Sequence, residues 1–215
     1  MNKSPAPEET APPKPTLTDR LRGYARPLID PVVTFLARYR LSPDVLTVAG
    51  MLAHFLLAYL IAIGEMRWAG IATLLLAPLD AFDGALARKL GRKQGGFGAF
   101  LDSTLDRLAE IILFGGFIYY YMSLDDPQML AVAYIAITGS LMVSYARARA
   151  ESLGYDSKVG VASRVERYAT LIIFLILDLP NVALILLAIF TYVTLAQRMY
   201  RVWDQAYGKY GKEKG

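Results

Sequence analysis

Three long stretches of this chain carry no acidic or basic side chain. They cover residues 45–64, 127–146 and 179–197, which are 20, 20 and 19 residues long. A helix needs about 20 predominantly apolar residues to cross the hydrocarbon core of a membrane. Because helices satisfy their own backbone hydrogen bonds in lipid, we predict an all-α fold in which each stretch crosses as one helix.

Three shorter apolar runs lie between the long ones, at residues 68–79, 111–124 and 168–177. Each run continues on one side into a segment that mixes apolar residues with carboxylates or arginines. Counting these extensions, we predict a polytopic membrane protein with six transmembrane helices. Their expected bounds are residues 43–64, 67–89, 97–123, 127–152, 163–179 and 181–206.

Basic residues are sorted to one side of this topology. Six spans place both termini on the same side as the loops after the second and fourth helices. These regions hold 22 of the 23 Lys and Arg residues, and Arg67 is the exception. The opposite loops carry Glu65, Asp125, Asp126 and Asp178 instead. By the positive-inside rule, we expect a multi-pass protein of the cell membrane with both termini in the cytoplasm.

Four regions follow from this layout. Residues 1–16 are rich in proline and predict a disordered tail. Residues 17–40 alternate basic and apolar positions, which favours an amphipathic helix in the cytoplasmic interface; a solvated linker is the alternative. Residues 41–207 are expected to form the six-helix membrane domain, and residues 208–215 a basic tail.

The chain has no cysteine and a single histidine, His54. Thiolate nucleophiles and zinc sites built from several Cys or His ligands are therefore excluded. His54 lies in the middle of the first span, where a packed histidine bonded to a neighbour is favoured over a proton relay. The net charge of +4 reflects orientation in the membrane and predicts no nucleic acid partner. Chemistry must therefore use carboxylates, basic groups, hydroxyls or a hard cation.

Two pairs of aspartates lie inside the predicted spans, near their cytoplasmic ends. Asp80 and Asp83 are spaced i, i+3, whereas Asp102 and Asp106 are spaced i, i+4. Each pair therefore shares one helix face. Rise per residue brings both pairs to a similar depth, and Asp106 is expected to be the most deeply placed acid. A carboxylate in the middle of a spanning helix costs about 2.5–3.5 kcal/mol, so these acids need a partner.

Four carboxylates facing one cavity suit two Mg²⁺ or Mn²⁺ ions, which prefer oxygen ligands. Paired metals assist displacement at phosphorus in many enzymes, and glycines and alanines beside the aspartates leave room for a ligand. One alternative is a salt-bridged helix pair, with Arg88 and Arg107 neutralising two aspartates. Another is an ion-coupled transporter, but the outer halves of the helices are too apolar for a pathway open to both sides.

The spacing of these residues resembles a known signature. Asp-x-x-Asp-Gly-x-x-Ala-Arg, nine further residues, and Gly-x-x-x-Asp-x-x-x-Asp are similar to the motif of the CDP-alcohol phosphotransferase family. The six-helix layout is similar too, so the resemblance covers nearly all of the chain after the tail. The eight fixed positions of the motif are filled by Asp80, Asp83, Gly84, Ala87, Arg88, Gly98, Asp102 and Asp106.

Members of this family transfer a substituted phosphate from a CDP-linked donor to an alcohol and release CMP. The resemblance implies that Asp106 is the catalytic base and that the active site faces the cytoplasm. It also implies a homodimer. Asp44 stands where the family often has Asn, and helix capping is its alternative role. The metal ligands would be Asp80, Asp83, Asp102 and Asp106, and the nucleotide-binding residues Pro43, Asp44, Thr47, Asp80, Gly84, Ala87 and Arg88.

Arginines at the depth of the aspartates indicate an anionic acceptor. At 1.5 Å per residue, Arg167 and Arg198 lie about 17 Å and 26 Å along their helices from the outer end. An arginine keeps its charge at such depth and so needs an anionic partner, although snorkelling to lipid phosphate is the alternative for each.

The segments around these arginines resemble phosphatidylinositol-phosphate and archaetidylinositol-phosphate synthases. This resemblance implies CDP-diacylglycerol or a CDP-archaeol type lipid as donor and inositol 1-phosphate as acceptor. The residues expected to bind the acceptor phosphate are Arg147, Arg164, Arg167 and Arg198. Phosphatidylglycerophosphate synthase, which uses glycerol 3-phosphate, shares the eight-residue signature and is the alternative.

Overall fold

The structure, a computed structural model, describes residues 31–39, 41–91 and 96–208, without the side chains of Asp80 and Ala81. All regular structure in these residues is α-helical. The predicted tail at 1–16, most of the predicted interfacial helix and nearly all of the basic tail lie outside the described residues. The helices are α1 (31–38), α2 (Pro43–Ala62), α3 (Met66–Leu76), α4 (Leu79–Lys89), α5 (Phe97–Ser123), α6 (Pro127–Ser152), α7 (Arg164–Ile176) and α8 (Pro180–Tyr207).

Five of the six predicted segments agree with α2 and α5–α8 to within three residues at each end. Proline begins three of these helices, at Pro43, Pro127 and Pro180. The first helical position suits proline because its N–H would have no partner inside the helix. At α6 the start is also capped, since Asp126 accepts a hydrogen bond of 3.0 Å from the backbone N of Met129.

The prediction of one continuous helix at 67–89 is wrong. The structure has two helices there, α3 and α4, separated at Ala77 and Pro78. Both linking residues keep right-handed helical dihedral angles. The interruption therefore arises because Pro78 has no N–H to continue the hydrogen-bond ladder. Its effect is local: Ala77 still donates to Thr73, and Phe82 donates to Pro78 at 3.1 Å.

Small residues let the helices approach one another closely. A Cβ on Gly116 of α5 would lie 2.5 Å from the carbonyl oxygen of Ala58 in α2, so only glycine fits there. Gly70 of α3 has the same relation to the backbone of Ile176 in α7. Contacts between small residues are typical of helices that pack inside membranes. The core beside them includes Leu57, Ile61, Leu113, Phe117, Leu171, Leu175, Leu184 and Leu187.

Three helices, α2, α6 and α8, are long and apolar enough to cross a membrane by their length and composition. The surface of α2 carries exposed apolar side chains. Phe55 and Tyr59 project from it and are more than half exposed. Continuous apolar surface of this kind indicates contact with lipid or with another protein chain.

The start of α2 and the end of α4 lie at one end of the helix bundle, together with the starts of α5 and α7. Two contacts across this end connect segments far apart in sequence. Lys89 in α4 donates a hydrogen bond of 2.5 Å to Thr34 of α1, and Arg164 in α7 donates to Asp106 in α5. The predicted metal and nucleotide residues, with Arg164 and Arg167, belong to α2, α4, α5 and α7, whereas Arg147 and Arg198 belong to α6 and α8.

Candidate active site

Thr47, near the start of α2, connects this helix to the aspartate motif of α4. Its hydroxyl lies 2.8 Å from Oδ2 of Asp83 and 3.2 Å from the carbonyl oxygen of Pro43. The hydroxyl has one proton to donate, and the carboxylate is the nearer and charged acceptor. Asp83 is only 7% exposed. This contact brings together two parts of the predicted nucleotide and metal site.

Asp44 does not cap α2, so the capping alternative is wrong. Ser42 occupies the N-cap position and makes no side-chain cap bond. Asp44 lies in the first turn, and its Oδ2 accepts a hydrogen bond of 3.3 Å from the Ser42 hydroxyl. A carboxylate in the first turn still interacts favourably with the positive end of the helix dipole.

The end of α4 presents the small and basic residues of the signature. Gly84, Ala87 and Arg88 are spaced i, i+3 and i+4, so they share one helix face. A Cβ on Gly84 would lie 3.5 Å from Nη1 of Arg88, in ordinary contact. Arg88 itself is exposed. The guanidinium of Arg88 is therefore accessible on the same helix face as Gly84 and Ala87.

Asp106 in α5 lies between two arginines. Arg164, the first residue of α7, donates a hydrogen bond to its Oδ2. Nη1 of Arg107 is 3.6 Å from the same oxygen. The Asp106 side chain is 13% exposed, and Asp102, one helical turn earlier, is half-buried. The predicted catalytic base therefore lies beside a cation contributed by a different helix.

Arg164 packs against the face of an aromatic ring. Its Cζ lies 5.4 Å from the ring centroid of Tyr168, at cation–π distance. The Tyr168 hydroxyl is 3.1 Å from Nε2 of His54, whose Nδ1 is 2.8 Å from the carbonyl oxygen of Gly50. A carbonyl can only accept, so Nδ1 carries the proton and Nε2 accepts from Tyr168 in the neutral ring. The prediction of a packed, bonded histidine is confirmed.

Arg167 forms a buried ion pair with Glu110, a residue that the motif did not point to. The Nη2 of Arg167 is 2.7 Å from Oε1 of Glu110, and the two side chains are each 3% exposed. Glu110 is deeper than Asp106 by one helical turn, so the expectation that Asp106 is the deepest acid is wrong. The i, i+4 continuation of the series Asp102, Asp106 was the available signal.

The other two predicted acceptor-binding arginines have contrasting surroundings. Arg198 in α8 is 5% exposed and donates to two backbone oxygens, Val143 at 2.6 Å and Val159 at 3.0 Å. It thereby holds the loop between α6 and α7 against α8. Arg147 is exposed and pairs with Glu151 at 2.9 Å, one turn along α6. Among the contacts of these four arginines in the described part of the chain, that of Arg164 is the one made with an aspartate of the motif.

Carboxylate oxygens from α4 and α5 are the ligand type that Mg²⁺ and Mn²⁺ prefer. Within the part of the chain that the structure describes, no three acidic or histidine side chains come close enough to hold a metal ion. Asp80, the fourth predicted ligand, has its side chain outside that part. The donor chemistry fits the metals, and the four-ligand site stays a prediction. The ion-pair alternative is present in part, through Arg107 and Asp106.

Residues 40–199 match the family model of the CDP-alcohol phosphatidyltransferases. The chain belongs to this family. It is therefore a membrane-associated transferase that acts on a CDP-linked lipid and an alcohol acceptor. Enzymes of this family use divalent metal ions.

Similar proteins support the assignment to this family, both by sequence identity and by structural superposition. The chain is 35% identical to archaetidylinositol phosphate synthase of Pyrococcus horikoshii over 186 residues, which cover 86% of this chain and 95% of the relative. It superposes on phosphatidylinositol phosphate synthase of Mycobacterium tuberculosis with CDP-DAG bound at a TM-score of 0.75 and 29% identity, covering 80% of this chain and 92% of that one. A structure of the same mycobacterial enzyme with manganese and citrate gives a TM-score of 0.73 at 29% identity, with coverage of 80% and 88%.

Proposed function

We propose that this chain transfers a phosphatidyl or archaetidyl group from its CDP-linked lipid to inositol 1-phosphate. The products are the corresponding inositol phospholipid phosphate and CMP. The observation that carries the proposal is the contact of Arg164 with Asp106. The contact places Asp106, which can accept a proton from a hydroxyl, beside Arg164, which can bind a phosphate. An acceptor that carries a hydroxyl and a phosphate needs both residues. The names of the relatives from Pyrococcus horikoshii and Mycobacterium tuberculosis agree with this acceptor.

The reaction is one displacement at the lipid-bearing phosphorus of the donor. The acceptor hydroxyl oxygen bonds to that phosphorus, and the bond from the phosphorus to the bridging oxygen breaks. CMP leaves with the electron pair, and Asp106 takes the hydroxyl proton. A positioned base of this kind contributes roughly 10²–10⁴-fold to rate.

The aspartates at the ends of α4 and α5 would hold two divalent cations, Mg²⁺ or Mn²⁺. Bound there, the cations would screen the pyrophosphate and stabilise charge on the leaving CMP. Thr47 orients Asp83 through its hydroxyl, which supports a fixed ligand geometry. We assign the metal ligands to Asp80, Asp83, Asp102 and Asp106, and the cytidine nucleotide contacts to Pro43, Asp44, Thr47, Asp80, Gly84, Ala87 and Arg88.

The acceptor phosphate would be bound by Arg147, Arg164, Arg167 and Arg198. Arg164 and Arg147 have guanidinium surface open to solvent. Arg167 and Arg198 lie behind them and donate to protein oxygens. This arrangement leaves Arg164 and Arg147 accessible to an incoming phosphate and holds Arg167 and Arg198 in fixed orientations.

We further propose six spans with the active site in the cytoplasmic leaflet, and a homodimer. Because the chain has no cysteine, single-cysteine variants give clean labelling sites. A membrane-impermeant maleimide should reach Lys158→Cys only from the cytoplasm and Asp125→Cys only from outside. Labelling of both from the same side would contradict the topology. Light scattering in detergent should give the mass of two chains per particle, and a single-chain mass would contradict the dimer.

The decisive test of the reaction is CMP release from membranes that contain the protein. CDP-diacylglycerol is supplied with inositol 1-phosphate or glycerol 3-phosphate, with and without EDTA. We expect release with inositol 1-phosphate, loss of activity in EDTA, and a decrease of about a hundredfold or more for Asp106→Asn. Release with glycerol 3-phosphate alone would make the chain a phosphatidylglycerophosphate synthase. Activity that survives both EDTA and Asp106→Asn would contradict the mechanism.

A further inference from the structure

Three donors converge on one oxygen of Glu110. Nε and Nη2 of Arg167 lie 3.2 Å and 2.7 Å from Oε1, and the Ser140 hydroxyl donates to it at 2.9 Å. The guanidinium is held on its other side as well, because Nη1 donates to the carbonyl oxygen of Ala162 at 3.1 Å. Contacts from α5, α6 and the loop before α7 therefore determine one orientation of Arg167.

Stability does not explain this pair. Buried ion pairs are often no more stable than apolar residues of the same volume, because desolvation offsets their attraction. In addition, Oε2 of Glu110 is buried with no hydrogen-bond partner in the part of the chain that the structure describes. A buried acceptor left in that state is destabilising, because no hydrogen bond compensates for its loss of hydration. An arrangement with this penalty is better explained by a requirement for one fixed guanidinium geometry.

The contacts leave a definite donor available. A guanidinium has five N–H groups, and four of those on Arg167 have acceptors in the described residues. Nε and one N–H of Nη2 point to Glu110, the second N–H of Nη2 is 3.4 Å from Ser144, and one N–H of Nη1 is used by Ala162. The second N–H of Nη1 has no acceptor among the described residues and is available to a ligand.

Glu110 also links the Arg167 guanidinium to α5, the helix that carries Asp106. It follows Asp106 by four residues on α5, which is one helical turn on the same face. The proposed base and the carboxylate that holds Arg167 therefore move as one rigid unit. Any shift of α5 relative to α7 would move both together.

We propose that Glu110 is a positioning residue for the acceptor phosphate. It fixes Arg167 so that its free Nη1 N–H donates to a phosphate oxygen while the acceptor hydroxyl meets Asp106. This inference rests on the proposed function and deepens it, since it concerns the acceptor and leaves donor binding unaffected. Ser140 supports the same carboxylate oxygen and contributes less, because it carries no charge.

The test is Glu110→Gln, which keeps the side-chain volume and removes the charge that orients Arg167. We expect the KM for inositol 1-phosphate to rise about tenfold, the fold-change of a lost interaction of about 1.4 kcal/mol. The KM for CDP-diacylglycerol should change by less than about twofold, because the donor site does not include this pair. Glu65→Gln is the matched control, since Glu65 is exposed in the α2–α3 loop and should leave both constants unchanged.

Ser140→Ala provides a second variant with the charge intact, for use whether or not Glu110→Gln folds. Its acceptor KM should rise about threefold, as expected for a lost neutral hydrogen bond. An unchanged acceptor KM in the folded variants would overturn the proposal. A parallel rise of both KM values would also overturn it, because it would indicate a general structural role. Failure of the wild-type protein to release CMP would instead contradict the proposed function.

Discussion

The hydroxyl of Thr47 donates to Oδ2 of Asp83 at 2.8 Å, across 36 residues of sequence. The contact joins the start of α2, where the nucleotide is expected, to the first acidic pair of α4. It makes the orientation of an expected metal ligand depend on a residue outside the signature.

Removing this hydroxyl should weaken the donor site. Thr47→Val keeps the shape of the side chain and deletes the hydrogen bond to the carboxylate. Bonds to charged groups contribute about 1.5–3 kcal/mol, so kcat/KM for CDP-diacylglycerol should fall about tenfold or more. Thr47→Ser retains the hydroxyl and should stay close to wild type in the same CMP-release assay. Equal losses in both variants would mean that packing of the methyl group, and not the hydrogen bond, is what matters.

The ring of Tyr168 should matter more than its hydroxyl. Arg164 lies over this ring at 5.4 Å, and a cation–π contact contributes about 0.5–2 kcal/mol. Tyr168→Leu should therefore raise the KM for inositol 1-phosphate about fivefold. Tyr168→Phe keeps the ring and loses only the bond to His54, so its acceptor KM should remain near wild type. The reverse order of effects would point to His54 as the important partner.

Two neighbouring arginines at the end of α6 offer a matched comparison. Both are exposed, but only Arg147 belongs to the proposed acceptor site. Arg147→Gln removes a charged donor to phosphate and should raise the acceptor KM about tenfold. Arg149→Gln makes the same change in charge two positions away, outside the proposed site, and should have little effect. Similar KM values for the two variants would indicate that both arginines act only on lipid headgroups or on general surface charge.

Two adjacent glycines test the packing of α2 on α5. A Cβ on Gly116 would clash with the backbone of Ala58, whereas a Cβ on Gly115 meets nothing within 4 Å. Overpacking of this kind costs about 1–3 kcal/mol, so Gly116→Ala should unfold at a clearly lower temperature in detergent. Gly115→Ala should not be destabilised, because it has open space and better helix propensity. Equal melting temperatures would show that α2 and α5 can separate without penalty.

The sequence predicted the helices well because their signal is local. The charge-free stretches and the prolines at Pro43, Pro127 and Pro180 place the starts and ends of α2, α6 and α8. The break at Pro78 was missed because the apolar run continues on both sides of it, and apolarity alone does not record a missing N–H. The acid pairs at α4 and α5 were found because i, i+3 and i+4 spacing is a property of one helix.

The partners of the buried and partly buried arginines could not be predicted from the sequence. The sequence proposed four arginines for the acceptor phosphate without showing which residue each one contacts. In the structure Arg164 contacts Asp106, Arg167 contacts Glu110 and Arg198 donates to backbone oxygens. Glu110 itself was overlooked, because its i, i+4 spacing from Asp106 does not show which residue it contacts 57 positions away.

The sequence by itself therefore determined that the chain is helical and apolar enough for a membrane, and it showed the signature that marks the family. These properties depend on composition and on spacing within single helices. Only the tertiary structure decided which residues of different helices meet. A side chain turns by about 100° around the helix axis with each residue, so a small rotation of α7 against α5 would separate Arg164 and Arg167 from these partners. Close packing at Gly116, where α5 meets α2, and at Gly70, where α3 meets α7, restricts how these helices can turn. No local pattern in the sequence encodes that packing.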